Sequence, residues 1–223
     1  PGAAAAGSRH IVFIAQHIGN PLAAGILDGA EEVLASAGFR LVIRSSRNDP
    51  AAERELLQEA VREGARGILI FPADGEAYNE ELLRLSLARY PVVVIDRYLR
   101  GVDTNCVCSD HAGGAHDAVA RLIDMGHEHI AYVSFYRRPT TSLDDRRAGY
   151  ERALANRRLP QGDGLIRFDD DSGDDFHFEK AVAAAQRFLA DHPHVTAVFG
   201  ATSFSGLAVI EAARRMGLGV PER

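Results

Sequence analysis

Residues 90–110 read Y-P-V-V-V-I-D-R-Y-L-R-G-V-D-T-N-C-V-C-S-D, and this stretch decides the fold. Pro91 stops whatever element precedes it. Val92–Ile95 is an unbroken apolar, β-branched run, the composition of a strand buried on both faces of a parallel sheet. At its carboxyl end Asp96 and Arg97 appear abruptly. Ligands of open parallel sheets bind outside the carboxyl ends of the strands, so this charged pair is a candidate site. The plainer alternative is an ion pair at a solvated strand end. Ten residues on, Cys106–Cys108 reads as a second short strand and again ends on a carboxylate, Asp110. The strand–helix rhythm then restarts, which makes the stretch a crossover between two α/β lobes.

Working outward from it, the chain alternates strands and helices. His10–Ala15 is a strand, and Asn20 and Pro21 provide an N-cap and a first helical position. Leu22, Ile26, Ala30, Val33 and Ala37 recur at helical spacing until Gly38. Strands are expected at Phe39–Ile43 and Gly67–Phe71, and helices from Asp49-Pro50 to Gly64 and over Tyr78–Ala88. Beyond Asp110, helices are expected around Ala115–Ile123, Leu143–Ala155, Phe176–Leu189 and Ser203–Met216. Strands fall at Ile130–Ser134, Leu165–Phe168 and Val195–Phe199. This βαβ rhythm implies parallel sheets covered on both faces. The division is a linker over 1–9, an N-terminal lobe with its crossover over 10–110, and a C-terminal lobe over 111–223. Four strands in the first lobe against three in the second suggest that the second is truncated at its C-terminal end.

The bulk numbers narrow the function. With 223 residues, 46% hydrophobic and 25% charged, the chain can bury substantial cores. A net charge of -6 argues against nucleic acid binding over its own surface. No apolar run approaches the roughly 20 residues that span a bilayer, and 1–10 lacks the features of a signal peptide. The two cysteines form a C-x-C whose side chains share a strand face, where a bridge would be strained, so a reducing, cytoplasmic setting fits best.

Catalytic and metal patterns are lacking. The pairs His127/His129 and His192/His194 have i, i+2 spacing, and no H-E-x-x-H occurs. The acidic run Asp169–Asp175 puts Gly173 and Lys180 at the wrong places for a calcium loop and reads as a solvated helix start. Gly113-Gly114 lacks any G-x-G-x-x-G or Walker A surroundings, and no G-x-S-x-G elbow is present. The expectation is therefore no cofactor and no enzyme. Arg146 stands out instead. Thr140, Thr141 and Ser142 place hydroxyls in a loop after a strand, and Arg146 lies in the first turns of the following helix. A guanidinium fork there can grip vicinal hydroxyls or a carboxylate. A surface ion pair with Asp144 or Asp145 is the alternative.

Taken in order, several fragments resemble the effector-binding domain of the lactose- and galactose-repressor (LacI/GalR) family of bacterial transcription regulators. They are Asn20-Pro21, Asp49-Pro50, Gly67–Ile70, Ile95-Asp96-Arg97, Ser109-Asp110-x-x-Gly113, Gly126-His127-x-x-Ile130-Ala131, Arg146-x-x-Gly149-Tyr150, Thr196–Phe199 and Gly217-Leu218-x-Val220-Pro221. The resemblance covers 10–223. It implies a periplasmic-binding-protein type I fold, with two doubly wound parallel-sheet lobes and a ligand cleft between them. It implies a small-molecule effector, a monosaccharide or related polyol, bound by Gln16, His17, Asn20, Arg97, Asp110, Ser142, Arg146, Phe168 and Thr202. Thr202 and Ser203 depart from the asparagine and aspartate of many sugar binders. DNA would be bound only through an N-terminal head outside this chain, of LacI or GntR type, in a cytoplasmic homodimer that touches no membrane. A periplasmic sugar-binding protein of a transporter shares the fold and is the rival reading; an enzyme is a distant third.

Overall fold

A computed structural model describes residues 9–19, 21–73, 79–135, 140–160, 165–166 and 178–221. The chain divides into two compact units, Pro1–Ser109 and Asp110–Arg223.

The first unit carries strands β1 (His10–Ala15), β2 (Arg40–Ser45), β3 (Gly67–Ile70), β4 (Val92–Ile95) and β5 (Asn105–Val107) in one sheet of order β2-β1-β3-β4-β5, parallel throughout. Its helices are α1 (Pro21–Ser36), α2 (Pro50–Arg62) and α3 (Glu80–Leu87). Alternation along β1 shows why its residues from Ile11 to Ala15 are all apolar. Val12 and Ile14 pack with Leu57 and Ala60 of α2 and with Leu82 and Leu85 of α3. Phe13 and Ala15 point the other way, into a cluster with Leu27 of α1, Phe71 and Ile95. Val92 and Val94 join the first cluster and Ile95 the second, so β4 too is buried on both faces. Asp49 caps α2, accepting from Ala51 N–H at 2.9 Å, with Pro50 at the first turn.

The second unit carries α4 (His111–Asp124), β6 (Ile130–Val133), α5 (Thr141–Asn156), β7 (Leu165–Ile166), α6 (Phe178–Asp191), β8 (Ala197–Gly200) and α7 (Ser203–Arg215). Its parallel sheet has the order β7-β6-β8. Ile130 and Tyr132 of β6 face Val119 of α4 and Tyr150, Ala153 and Leu154 of α5. Val133 faces Ala181, Val182 and Ala185 of α6 and Ala208 and Ala212 of α7.

Several expectations shift. The crossover strand is Asn105–Val107, one residue earlier than Cys106–Cys108, because pairing with Val93–Ile95 fixes its register. It also joins the first sheet, which therefore has five strands rather than four. The expected strand Phe39–Ile43 runs as Arg40–Ser45, since it follows β1 residue for residue along the whole edge. The third helix starts at Glu80 rather than Tyr78, because Asn79 caps it by accepting from Glu81 N–H. The last strand starts at Ala197 rather than Val195. The N-cap expected at Asn20 and the acidic run Asp169–Asp175 lie outside the described residues.

Candidate ligand-binding site

Each sheet ends in a set of polar groups, and each set is described on its own unit. At the carboxyl end of the first sheet the chain after β3 forms the hub. The Pro72 carbonyl accepts from Gln16 Nε2 at 2.6 Å and from Arg97 Nη1 at 2.9 Å. A carbonyl has two lone pairs, so one oxygen orients both side chains. Arg97 also stands over the Phe71 ring, 5.4 Å from its centroid, a cation–π placement. Ser45 at the end of β2 donates to the Gln16 carbonyl at 2.9 Å. His17 is exposed in the turn after β1, and Asn20 lies outside the described residues.

The strand end itself is strained. Asp96 has φ 66°, a left-handed conformation that short polar side chains tolerate better than most. Asp96 and Arg97 are both only 12% exposed, and Arg97 Nε lies 4.0 Å from Asp96 Oδ2. That separation is long for a hydrogen bond but is that of an ion pair, so the two residues do pair, at a strand end that is largely buried rather than solvated. Cys106 Sγ donates to the Arg97 carbonyl at 3.0 Å. Burial, the neighbouring Cys108 thiol and the Asp96 charge push the Cys106 thiol up to about 12.

Beneath this end lies a carboxylate that sequence reading misses. Glu53 of α2 is buried, and its Oε2 accepts from Ala73 N–H at 2.6 Å, next to the Pro72 hub. Burial raises its pKa, opposed by the Ala73 N–H, the Asn79 side chain and the Arg97 charge. Asn79 in turn donates to the Pro50 carbonyl at 2.9 Å.

On the second unit the polar groups gather at helix starts. Asp110 is the N-cap of α4, accepting from Gly113 N–H at 2.8 Å. A Cβ on Gly113 would lie 2.2 Å from Asp110 Oδ2, so this glycine makes room for the cap. Thr140 caps α5, accepting from Leu143 N–H at 3.3 Å, and its hydroxyl is 3.2 Å from that of the buried Ser142. Thr202 caps α7 and meets the Ser205 hydroxyl at 3.2 Å. Ser205 Oγ also accepts from Phe135 N–H at 3.4 Å, which ties α7 to the end of β6. Arg146 is half-buried, with Nη2 3.2 Å from Nδ1 of the buried His111. The neighbouring Arg147 turns away and donates to Glu151 at 2.7 Å along the helix surface. Phe168 lies outside the described residues.

The structure thus brings Gln16 and Arg97 together on one unit, and sets Asp110 next to Arg146's partner His111 on the other. His111 and Glu53 had no motif to reveal them. The histidines considered for metal have other contacts: His127 meets Thr196 at 2.9 Å, and His192 stacks on Phe188 at 4.3 Å. Among the described residues, no three His, Cys, Asp or Glu side chains gather as metal ligands. No described helix is long and apolar enough to cross a membrane.

Strand carboxyl ends lined by polar side chains are where proteins of the doubly wound α/β class bind their ligands. The chain belongs to the periplasmic binding protein domain family, whose profile matches residues 11–221. It is 27% identical over 220 residues to catabolite control protein A of Priestia megaterium, covering 99% of this chain and 64% of that protein. It is 26% identical over 211 residues to the ribose import binding protein RbsB of Salmonella typhimurium, covering 93% and 68%. Among solved structures, a LacI family transcriptional regulator from Silicibacter pomeroyi shares the fold with TM-score 0.81 at 21% identity, covering 96% of this chain and 77% of that one. The transcriptional regulator CelR in complex with cellobiose aligns with TM-score 0.80 at 26% identity, covering 96% and 65%. The chain spans about three fifths of the length of catabolite control protein A and of two further regulators it matches.

Proposed function

We propose that this chain is the effector-sensing domain of a bacterial transcription regulator, and that its effector is a small polyol of the sugar class. Arg146 carries the reading. A half-buried guanidinium in the early turns of α5, held from one side by His111, keeps further N–H donors for a ligand hydroxyl pair. Gln16, Arg97, Asp110, Ser142 and Thr202 at the strand and helix ends supply the mixed donors and acceptors that a polyol needs. His17, Asn20 and Phe168 complete the proposed set from the sequence. The CelR–cellobiose complex and the ribose import binding protein support a sugar as the ligand class. In the whole protein, DNA is bound by a separate domain, and the effector shifts an equilibrium between states with different DNA affinity in a cytoplasmic homodimer. The length of the relatives beyond the matched part supports that division.

Calorimetry against a panel of pentoses, hexoses and disaccharides tests the reading, and one of them is expected to bind. Arg146→Ala weakens that binding roughly a hundredfold, since each charge-assisted hydrogen bond contributes about 1.5–3 kcal/mol and about 1.4 kcal/mol is a decade. Arg147→Ala, whose guanidinium pairs with Glu151 instead, leaves it within about twofold, a few tenths of a kcal/mol. A silent Arg146 with a critical Arg147 would remove the site from this helix face. The similarity to RbsB supports a second reading, a sugar-binding protein of a transporter. Binding of the full-length protein to a specific DNA sequence decides against it.

A further inference from the structure

The contact between Arg146 and His111 fixes more than the arginine. A guanidinium carries donors only, so the bond at 3.2 Å requires an unprotonated His111 Nδ1. The ring is therefore neutral, with its proton on Nε2. Backbone packing holds the pair in place. A Cβ on Gly149, one turn after Arg146, would lie 2.2 Å from the Ala112 carbonyl and 3.0 Å from His116 N, so α5 and the start of α4 touch backbone to backbone here. Arg152, farther along α5, donates to the same Ala112 carbonyl at 3.3 Å. Neither helix can shift to give Arg146 another partner without opening this seam.

We propose that His111 positions Arg146 for the ligand and that, through this contact, ligand affinity falls when the solution is acidified. The inference rests on Arg146 being a ligand group. Protonating Nδ1 sets two donors and two cations face to face, so the guanidinium leaves its place. From α5, Arg146 meets His111 and Arg152 donates to the neighbouring Ala112 carbonyl, while Asp144 and Asp145 precede Arg146 on that helix. On its own element the neighbour Asp110 accepts from Gly113 N–H. β8, which also packs on α4, brings no ionisable side chain.

Two measurements on the chain test this. Nitrogen NMR of the imidazole rings reads the His111 tautomer without ligand; the Nε2–H form is expected, and an Nδ1–H form overturns the inference. Calorimetry with the sugar found in the panel is then run at about pH 8 and about pH 5.5, across the range in which histidine titrates. Wild type is expected to lose affinity by up to about tenfold on acidification, the scale of one hydrogen bond to a charged group. His111→Asn keeps an acceptor near the Nδ1 position and does not titrate, so it binds within about threefold of wild type at pH 8 with a flat profile. His111→Leu removes the acceptor and is weakened about tenfold at both pH values. An asparagine variant that follows the wild-type pH dependence overturns the proposal. If no polyol binds the wild type, the sugar reading fails, and with it the ligand half of this inference. The tautomer measurement still decides whether Arg146 rests on Nδ1, including where a variant does not fold.

Discussion

In the first unit Gln16 and Arg97 reach one acceptor, the Pro72 carbonyl, from two different strand ends. In the second unit Asp110, Thr202 and the Thr140–Ser142 pair sit at the starts of three different helices, each with its own partner. The two arrangements should respond differently to mutation. A shared acceptor couples the side chains that use it, so the strand-end set behaves as one object. Helix caps are local, and their placement depends on how the helices pack. For Arg146 that packing is the α4–α5 seam at Gly149.

The largest effect is therefore expected at this seam. Gly149→Ala puts a methyl where the Ala112 carbonyl stands, and a backbone atom cannot move aside as a side chain tip can. Overpacking of this kind costs about 1–3 kcal/mol. Denaturant unfolding should show that loss, and the His111–Arg146 contact should be disturbed with it. Gly114→Ala on α4 is the internal contrast. Its Cβ would meet nothing within 4 Å, so helix propensity alone applies and stability rises by up to about 1 kcal/mol. Equal responses from the two glycines would mean that the seam does not organise the second unit.

These particular residues also show what was legible in the sequence. The elements could be read because their signals are local. Apolar runs marked β1 and β4, Asp49-Pro50 marked a helix start, and Gly38, Gly64 and Gly126 sit at positive φ just past helix ends. The limits of β5 could not, because pairing with β4 sets them. Arg97 and Arg146 were visible as charges at strand and helix ends. The Pro72 hub was invisible, since every residue has a backbone carbonyl. Glu53 looked like any carboxylate in the first turn of a helix. His111 was hidden because its partner lies 35 residues away on another helix.

A smaller effect tests the shared acceptor directly. In a double-mutant cycle on unfolding free energy, Gln16→Ala and Arg97→Ala should deviate from additivity by about 0.5–1 kcal/mol, since freeing one lone pair of Pro72 changes what the other donor gains. Ser142→Ala and Thr202→Ala, whose partners are Thr140 and Ser205, should add to within about 0.5 kcal/mol. Strict additivity in the first pair, or strong coupling in the second, would reverse the contrast between the units.

The smallest expected change concerns Glu53, and its sign depends on pH. Burial raises its pKa above the ordinary carboxylate range, against the opposing Ala73 N–H, Asn79 and Arg97. The native state therefore holds this proton to higher pH than the unfolded chain does. Through the window between the ordinary value and the raised one, stability falls as pH rises, because the native state binds the extra proton. Above the window the cost of a buried charge is complete and no longer changes. Glu53→Gln does not titrate and keeps an oxygen that can accept from Ala73 N–H. Relative to wild type its melting temperature should be lowest below the ordinary carboxylate range, rise through the window and then level off. The net change stays small because the lost attraction to Arg97 offsets part of the relief. Melting curves of both proteins from about pH 4 to about pH 8 give the comparison. Parallel profiles, or a variant that loses ground as pH rises, would mean that burial does not control this carboxylate and that its charge serves the Pro72 hub directly.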